Sequence, residues 1–157
     1  MRLEFLGEAT RDNQTSEPDM NTTELITRLL VADDQRTILT ADLFGVYFPL
    51  QLEPFIYAMT SKLSDDYSGG YWNFYTLSNG GFCMTPDTSG QFQVVSENGY
   101  EGFMSADALG ITACMYAYSH LSFGENRFSE ICAQQYHWLR EYMMDHPDAQ
   151  GILGAID

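Results

Sequence analysis

The spacing of hydrophobic positions changes several times along the chain, and those changes divide it into elements. Residues Gly7 to Asp19 are polar, with glycine, proline and several acids, which predicts a loosely packed arm over residues 1–20. Asn21 with Glu24 three positions later has the form of a capping box, and Leu25, Ile26, Leu29 and Leu30 then recur at helical spacing. A first helix is expected there, turning near Asp33-Asp34, followed by a connection containing Phe44-Gly45 and Pro49. Pro54 suits the first turn of a second helix, in which Phe55, Ile56, Met59 and Leu63 share one face until Ser64-Asp65-Asp66 ends it.

Beyond that stop the pattern becomes β-like. Tyr71 to Leu77 is aromatic with partial alternation, Asn79-Gly80-Gly81 tolerates positive φ, and Phe82-Cys83-Met84 begins a return strand. Gln91 to Val95, a turn at Glu97-Asn98-Gly99, and Tyr100 to Met104 extend the prediction to one antiparallel meander over about 71–104. Ser105 is then a good N-cap, and Asp107 in the first turn complements exposed amides. The run Ala108 to Tyr118 is apolar on nearly every face, as in a central helix crossed by other elements. A further helix from about Asn126 to Met144 turns Phe128, Ile131, Tyr136, Leu139 and Met143 inward, and a short one closes the chain between Pro147 and Ile156. The expected class is α+β: one compact domain over 21–157, with a small antiparallel three- or four-stranded sheet packed by four or five helices.

Composition narrows the functions open to such a domain. With 157 residues, 45% hydrophobic and 14% aromatic, the chain can bury one real core. Seven basic residues face 22 acidic ones, a formal charge of -15, and the acids run along the whole sequence. That field repels nucleic acid, whose binding needs cations that displace counterions, so high-affinity contact with bare DNA is not expected. A basic protein surface is the better electrostatic match. Cys83, Cys114 and Cys132 are odd in number and widely spaced, which fits free thiols in a reducing cytoplasm better than a disulfide framework. No apolar run is long enough to span a membrane.

Catalytic chemistry finds little support. His120, His137 and His146 form no zinc-binding pattern, the cysteines are not paired, and no spacing selects a Cys-His couple. Asp33-Asp34 and Asp65-Asp66 lack the basic groups that usually hold phosphate beside a catalytic cation, and the Gly-rich turns lack a Walker lysine. No metal, cofactor or catalytic residue is therefore assigned. The unusual segment is Asp66 to Tyr75, where Tyr67, Tyr71 and Trp72 combine apolar area with a hydrogen-bonding tip, as interface anchors do. Burial beneath helices is the plainer alternative for Trp72. Arg36, Arg127 and Arg140 are scarce cations whose simplest role is to offset nearby carboxylates.

The run Leu63 to Phe82, containing Ser64-Asp65-Asp66-Tyr67-Ser68-Gly69-Gly70-Tyr71-Trp72-Asn73-Phe74-Tyr75, resembles the signature of the ArdB/KlcA antirestriction family. Gly102 to Ile111 is similar to its second signature, and Arg36, Phe44-Gly45 and Tyr136 to Pro147 resemble flanking patterns. The resemblance implies a bacterial cytoplasmic protein from a plasmid or other mobile element. It would protect incoming DNA from type I restriction enzymes by acting on the restriction complex or an associated host protein. Among the matched positions, Ser68, Gly69, Gly70, Asn79, Gly80, Ser105, Asp107 and Gly110 are expected to serve conformation, capping and packing. Asp66, Tyr67, Tyr71, Trp72 and the terminal Asp157 are the candidates for partner contact. An acidic mimic of DNA is the first alternative, and a small hydrolase or nuclease assembled from distant residues the second.

Overall fold

A computed structural model describes residues 24–157. The N-terminal arm and the capping residue Asn21 lie outside the described residues.

Where a first helix was expected, the chain is extended. Arg28–Leu30 forms strand β1, and Leu25, Leu29 and Leu30 are exposed, Leu29 at 72%. The apolar stripe of that segment is not a core face, so nothing favours coiling it. Pairing with a distant strand fixes it extended instead. A 3-10 turn at Asp33–Gln35 leads into helix α1, Arg36–Phe44, in place of the expected connection. This helix buries only Thr40 and Phe44, and Gly45 ends it at φ 63°. A π-helical turn, Phe48–Leu52, runs directly into α2, Glu53–Leu63, with Pro54 in its first turn as the sequence indicated.

The strand region is divided in two. Strands β2, Trp72–Leu77, and β3, Phe82–Pro86, join β1 in an antiparallel sheet of order β1-β2-β3. Strands β4, Gln91–Val95, and β5, Glu101–Ser105, form a separate hairpin. The expected single meander breaks at Pro86, which pairs with Trp72 at the end of the ladder and has no N–H to donate. The following segment turns through Gly90, at φ 98°, before the hairpin starts.

Helices α3, Ala106–Leu121, α4, Arg127–Met143, and α5, Ala149–Ile156, complete the α+β domain. The Ser105 side chain caps α3 as expected, accepting from the Ala108 amide, and Asn126, which marked only the approximate start of the next helix, caps α4 by accepting from the Ser129 amide. Helix α3 is buried along nearly its whole length, from Ala106 to Tyr118, and packs on α2, α4, α5 and β3. The contact with β3 is close because residue 110 is glycine: a Cβ there would sit 2.5 Å from Thr85 Cα and 2.8 Å from the Met84 carbonyl oxygen. Strand β3 is fully buried, and side chains from α3 and α4 take up its polar groups. Gln135 Oε1 accepts from the Phe82 amide at 2.8 Å, and the Tyr118 hydroxyl donates to the Phe82 carbonyl at 2.7 Å. A strand that would otherwise be open to pairing with another chain is thereby sealed.

Candidate functional site

The aromatic signature folds as a brace between α2, the three-stranded sheet and the hairpin. Asp66 and Tyr67 follow the end of α2, where the Ser64 carbonyl accepts from the Tyr67 amide. Asp66 turns its carboxylate across to β4 and accepts the Gln93 amide at 2.9 Å. Gly69 and Gly70 then carry the chain at φ 96° and 118°, a left-handed path that a side chain would strain. The path brings Trp72 back beside Tyr67, so that the indole Nε1 donates to the Tyr67 hydroxyl at 2.9 Å. Trp72 is 3% exposed and meets Tyr57 and Tyr67 edge-on. It belongs to the core; its indole presents no surface to a partner.

Tyr71 faces outward and is 51% exposed. Its hydroxyl donates to Asp33 and accepts from Arg36 Nη2. The same Arg36 nitrogen donates to the Trp72 carbonyl oxygen at 2.7 Å, and the guanidinium lies 4.2 Å from the Phe74 ring centre. Asp33 completes the group at 3.4 Å. Arg36 thus ties α1 to the start of β2 by charge, hydrogen bond and cation–π contact together. Arg36 Nε is buried without an acceptor among the described residues.

The second signature forms another brace. Asp107 Oδ1 lies 2.7 Å from Arg28 of β1, and Asp107 Oδ2 lies 2.8 Å from His146 Nε2. His146 Nδ1 accepts the Asp148 amide, so the ring hydrogen sits on Nε2 and points to Asp107. Asp148 in turn accepts the Ser105 amide, closing a loop of contacts around the start of α3. Burial opposes the ionisation of Asp107, but the hydrogen bonds from His146 and Arg28 outweigh it and hold the carboxyl below its ordinary value. Asp107 therefore clamps β1 and the α4–α5 segment to α3, a longer reach than a first-turn acid that only offsets the helix end.

The turn between β2 and β3 anchors α4. Asn79 Nδ2 donates to the Trp138 carbonyl oxygen at 2.9 Å, and its Oδ1 accepts the Gly81 amide. Gly80, at φ 105°, lies flat against the Trp138 indole, where a Cβ would approach within 3.2 Å. Asp157 stands apart from all of this. It is exposed at the end of α5, 3.5 Å from Arg140.

The sequence-selected residues thus gather into three braces, with Asp66, Tyr71 and Asp157 exposed. What sequence reasoning did not single out are Arg28 and the pairing of His146 with Asp107. A usable signal existed for Arg28: in a chain with seven basic residues against 22 acids, an arginine has a carboxylate to find.

The thiols and the remaining carboxylates are poorly placed for chemistry. All three cysteines are buried thiols, and burial pushes Cys114 and Cys132 up to about 12 and Cys83 well above its ordinary value. They stay protonated near neutrality, the weakly nucleophilic form. Asp65 and Asp66 border a cleft of about 90 Å³ with Lys62, Leu63, Gln93 and Val95, and no histidine or cysteine reaches it. Among the described residues no group of three His, Cys, Asp or Glu could hold a metal ion. No helix among them is long and apolar enough to cross a membrane.

The architecture is a braced α+β domain built around the two signatures, and comparison with known proteins gives it a family. The antirestriction protein family model matches residues 65–157. An Escherichia coli antirestriction protein KlcA is 37% identical over 142 residues, covering 88% of this chain and all of that protein. The uncharacterised protein YafX of Escherichia coli K12 is 41% identical over 133 residues, covering 81% of this chain and 85% of YafX. A solved structure from work on KlcA and ArdB has a TM-score of 0.79 at 36% identity, covering 87% of this chain and 99% of that one. That work describes a novel fold with antirestriction activity against type I DNA restriction systems in vivo but not in vitro. The chain belongs to the ArdB/KlcA antirestriction family.

Proposed function

We propose that the chain relieves type I restriction of incoming DNA by binding a protein, either the restriction complex or a host factor working with it, without turning over a substrate. The observation that carries this reading is the match to KlcA in sequence, over 88% of this chain and all of that protein, and to the KlcA/ArdB structure in fold. The chemistry of the described residues supports the binding half of the proposal, since the thiols are protonated and buried and the carboxylate cleft lacks an imidazole. The related activity seen in vivo but not in vitro favours action through a further cellular component.

The charge of -15 favours a second reading, in which surface carboxylates imitate DNA phosphates. The two part on salt dependence and on sequence requirement. A mimic would bind the purified restriction enzyme directly and lose affinity steeply as salt rises. Direct binding anchored by apolar contacts would change little with salt, and interference through a host factor would leave the purified enzyme unbound at any salt. The experiment that tests the proposed function is transformation of unmodified plasmid into cells carrying a type I system, with and without the chain, beside assays of the purified protein for nuclease and peptidase turnover. The proposal expects higher transformation with the chain present and no turnover by the purified protein. Metal- or thiol-dependent cleavage, or no relief while the folded chain is present, would contradict it.

A further inference from the structure

An open cleft of about 480 Å³ lies between α1 and the π-helical turn, bordered on one side by the Asp33, Arg36 and Phe74 contacts that tie α1 to β2. The buried Phe48 and Phe74 form its apolar floor and the exposed Pro49 and Val46 its lip, while Arg36, Asp33 and Glu53 supply its charges. The volume is in the range of built ligand sites, and a π-helical turn at such a place is a costly local geometry often tied to function. Exposed apolar side chains continue outward on the two flanking elements: Val46 at 60%, Ile38 on α1 and Leu50 on the π-helical turn. A small molecule filling the cleft would leave them in water.

We infer that this cleft docks an exposed segment of a partner protein, inserting one apolar side chain between α1 and the π-helical turn with basic residues on either side of it. This rests on the proposed mode of action and names the surface through which it works. Two observations select that occupant. The floor and lip are apolar, which calls for a hydrophobic anchor. Two carboxylates to one guanidinium leave the site net negative in a strongly acidic molecule, which disfavours phosphate or a free carboxylate and favours lysine or arginine flanks.

The test uses the full chain and the capped peptide acetyl-Lys-Lys-Leu-Lys-Lys-amide, followed by NMR at the Arg36 Nε–H and Val46 methyl signals. The leucine peptide is expected to shift both signals saturably, and to bind about tenfold more tightly than its serine counterpart because of the apolar area it buries. Sodium acetate and inorganic phosphate should leave both signals in place. Val46→Arg, at an exposed position, should abolish peptide binding with an unchanged melting temperature. Equal binding of the two peptides, or an equal response to acetate, would overturn the inference. So would nuclear Overhauser contacts from the Val46 methyls to residues 1–23, which would make the chain its own occupant. In cells with a type I system, loss of relief by a folded Val46→Arg chain supports the cleft, and full relief by it refutes the cleft alone. Absence of relief by the unaltered chain refutes the proposed function, and the peptide titration then still decides whether the cleft binds.

Discussion

Gly110 shows how a single missing methyl group sets the distance between two elements. Its absent Cβ is the gap through which α3 meets the backbone of Thr85 and Met84. Gly110→Ala improves helix propensity, yet the added carbon lands on main-chain atoms that cannot step aside, so the packing penalty wins. A net loss of about 1–3 kcal/mol is expected, read as a lower urea midpoint. Trp72 gives a second test at this scale. Trp72→Ala empties a buried aromatic site and should cost about 3–5 kcal/mol, whereas Trp72→Phe keeps most of the fill and loses only the bond to Tyr67. The expected order of folded abundance is unaltered, then Phe, then Ala, measured by soluble yield and melting temperature. The sequence could announce that Trp72 matters but not which way it faces. Alternation in the strand is imperfect, and the side that becomes core is decided by α2 and Tyr67, neither of which adjacent residues reveal.

At the scale of elements, what was legible is what is local. Helices α2, α3 and α4 follow from their apolar patterns, with Pro54 opening α2 and Ser105 capping α3, because a cap acts on amides two or three residues away. Ser105→Ala should therefore cost about 1 kcal/mol in thermal unfolding, with the loss centred on α3 in hydrogen exchange. The segment around Leu29 failed the same logic. Its leucines stand at helical spacing, but its conformation comes from pairing Arg28–Leu30 with Tyr75–Leu77, far along the chain. Helix α1 was hidden for the opposite reason. It buries so little that no stripe marks it, and Arg36 holds it to β2 instead. The separate hairpin follows from one proline at the end of a ladder, visible in sequence only as a candidate strand end.

Across the whole molecule, the scarce arginines, together with His146, join distant parts of the chain. Arg28 and His146 converge on Asp107, Arg36 reaches Tyr71 and Asp33, and Arg140 reaches Asp157. The Asp107 contacts carry a pH signature. A carboxyl held below its ordinary value of 3.8 in the folded state binds protons more readily when the chain unfolds. Its contribution to stability is thus complete above that value and is lost as pH falls through the lower, folded-state pKa. Urea midpoints measured between neutral pH and pH 3 should show an acid loss that is smaller in Asp107→Asn, which should itself be less stable at neutral pH. The two signatures, on this account, build the scaffold, and restriction is relieved by surfaces that the scaffold holds in place. The measurement that tests this most directly is restriction relief per folded molecule: phage plating on a type I host, divided by folded abundance, for the unaltered chain, Trp72→Phe and Gly110→Ala. The account predicts one common value, with each variant losing relief only as its folded amount falls. A variant folded to the normal level yet giving no relief would contradict it, and would place that signature residue in the contact itself.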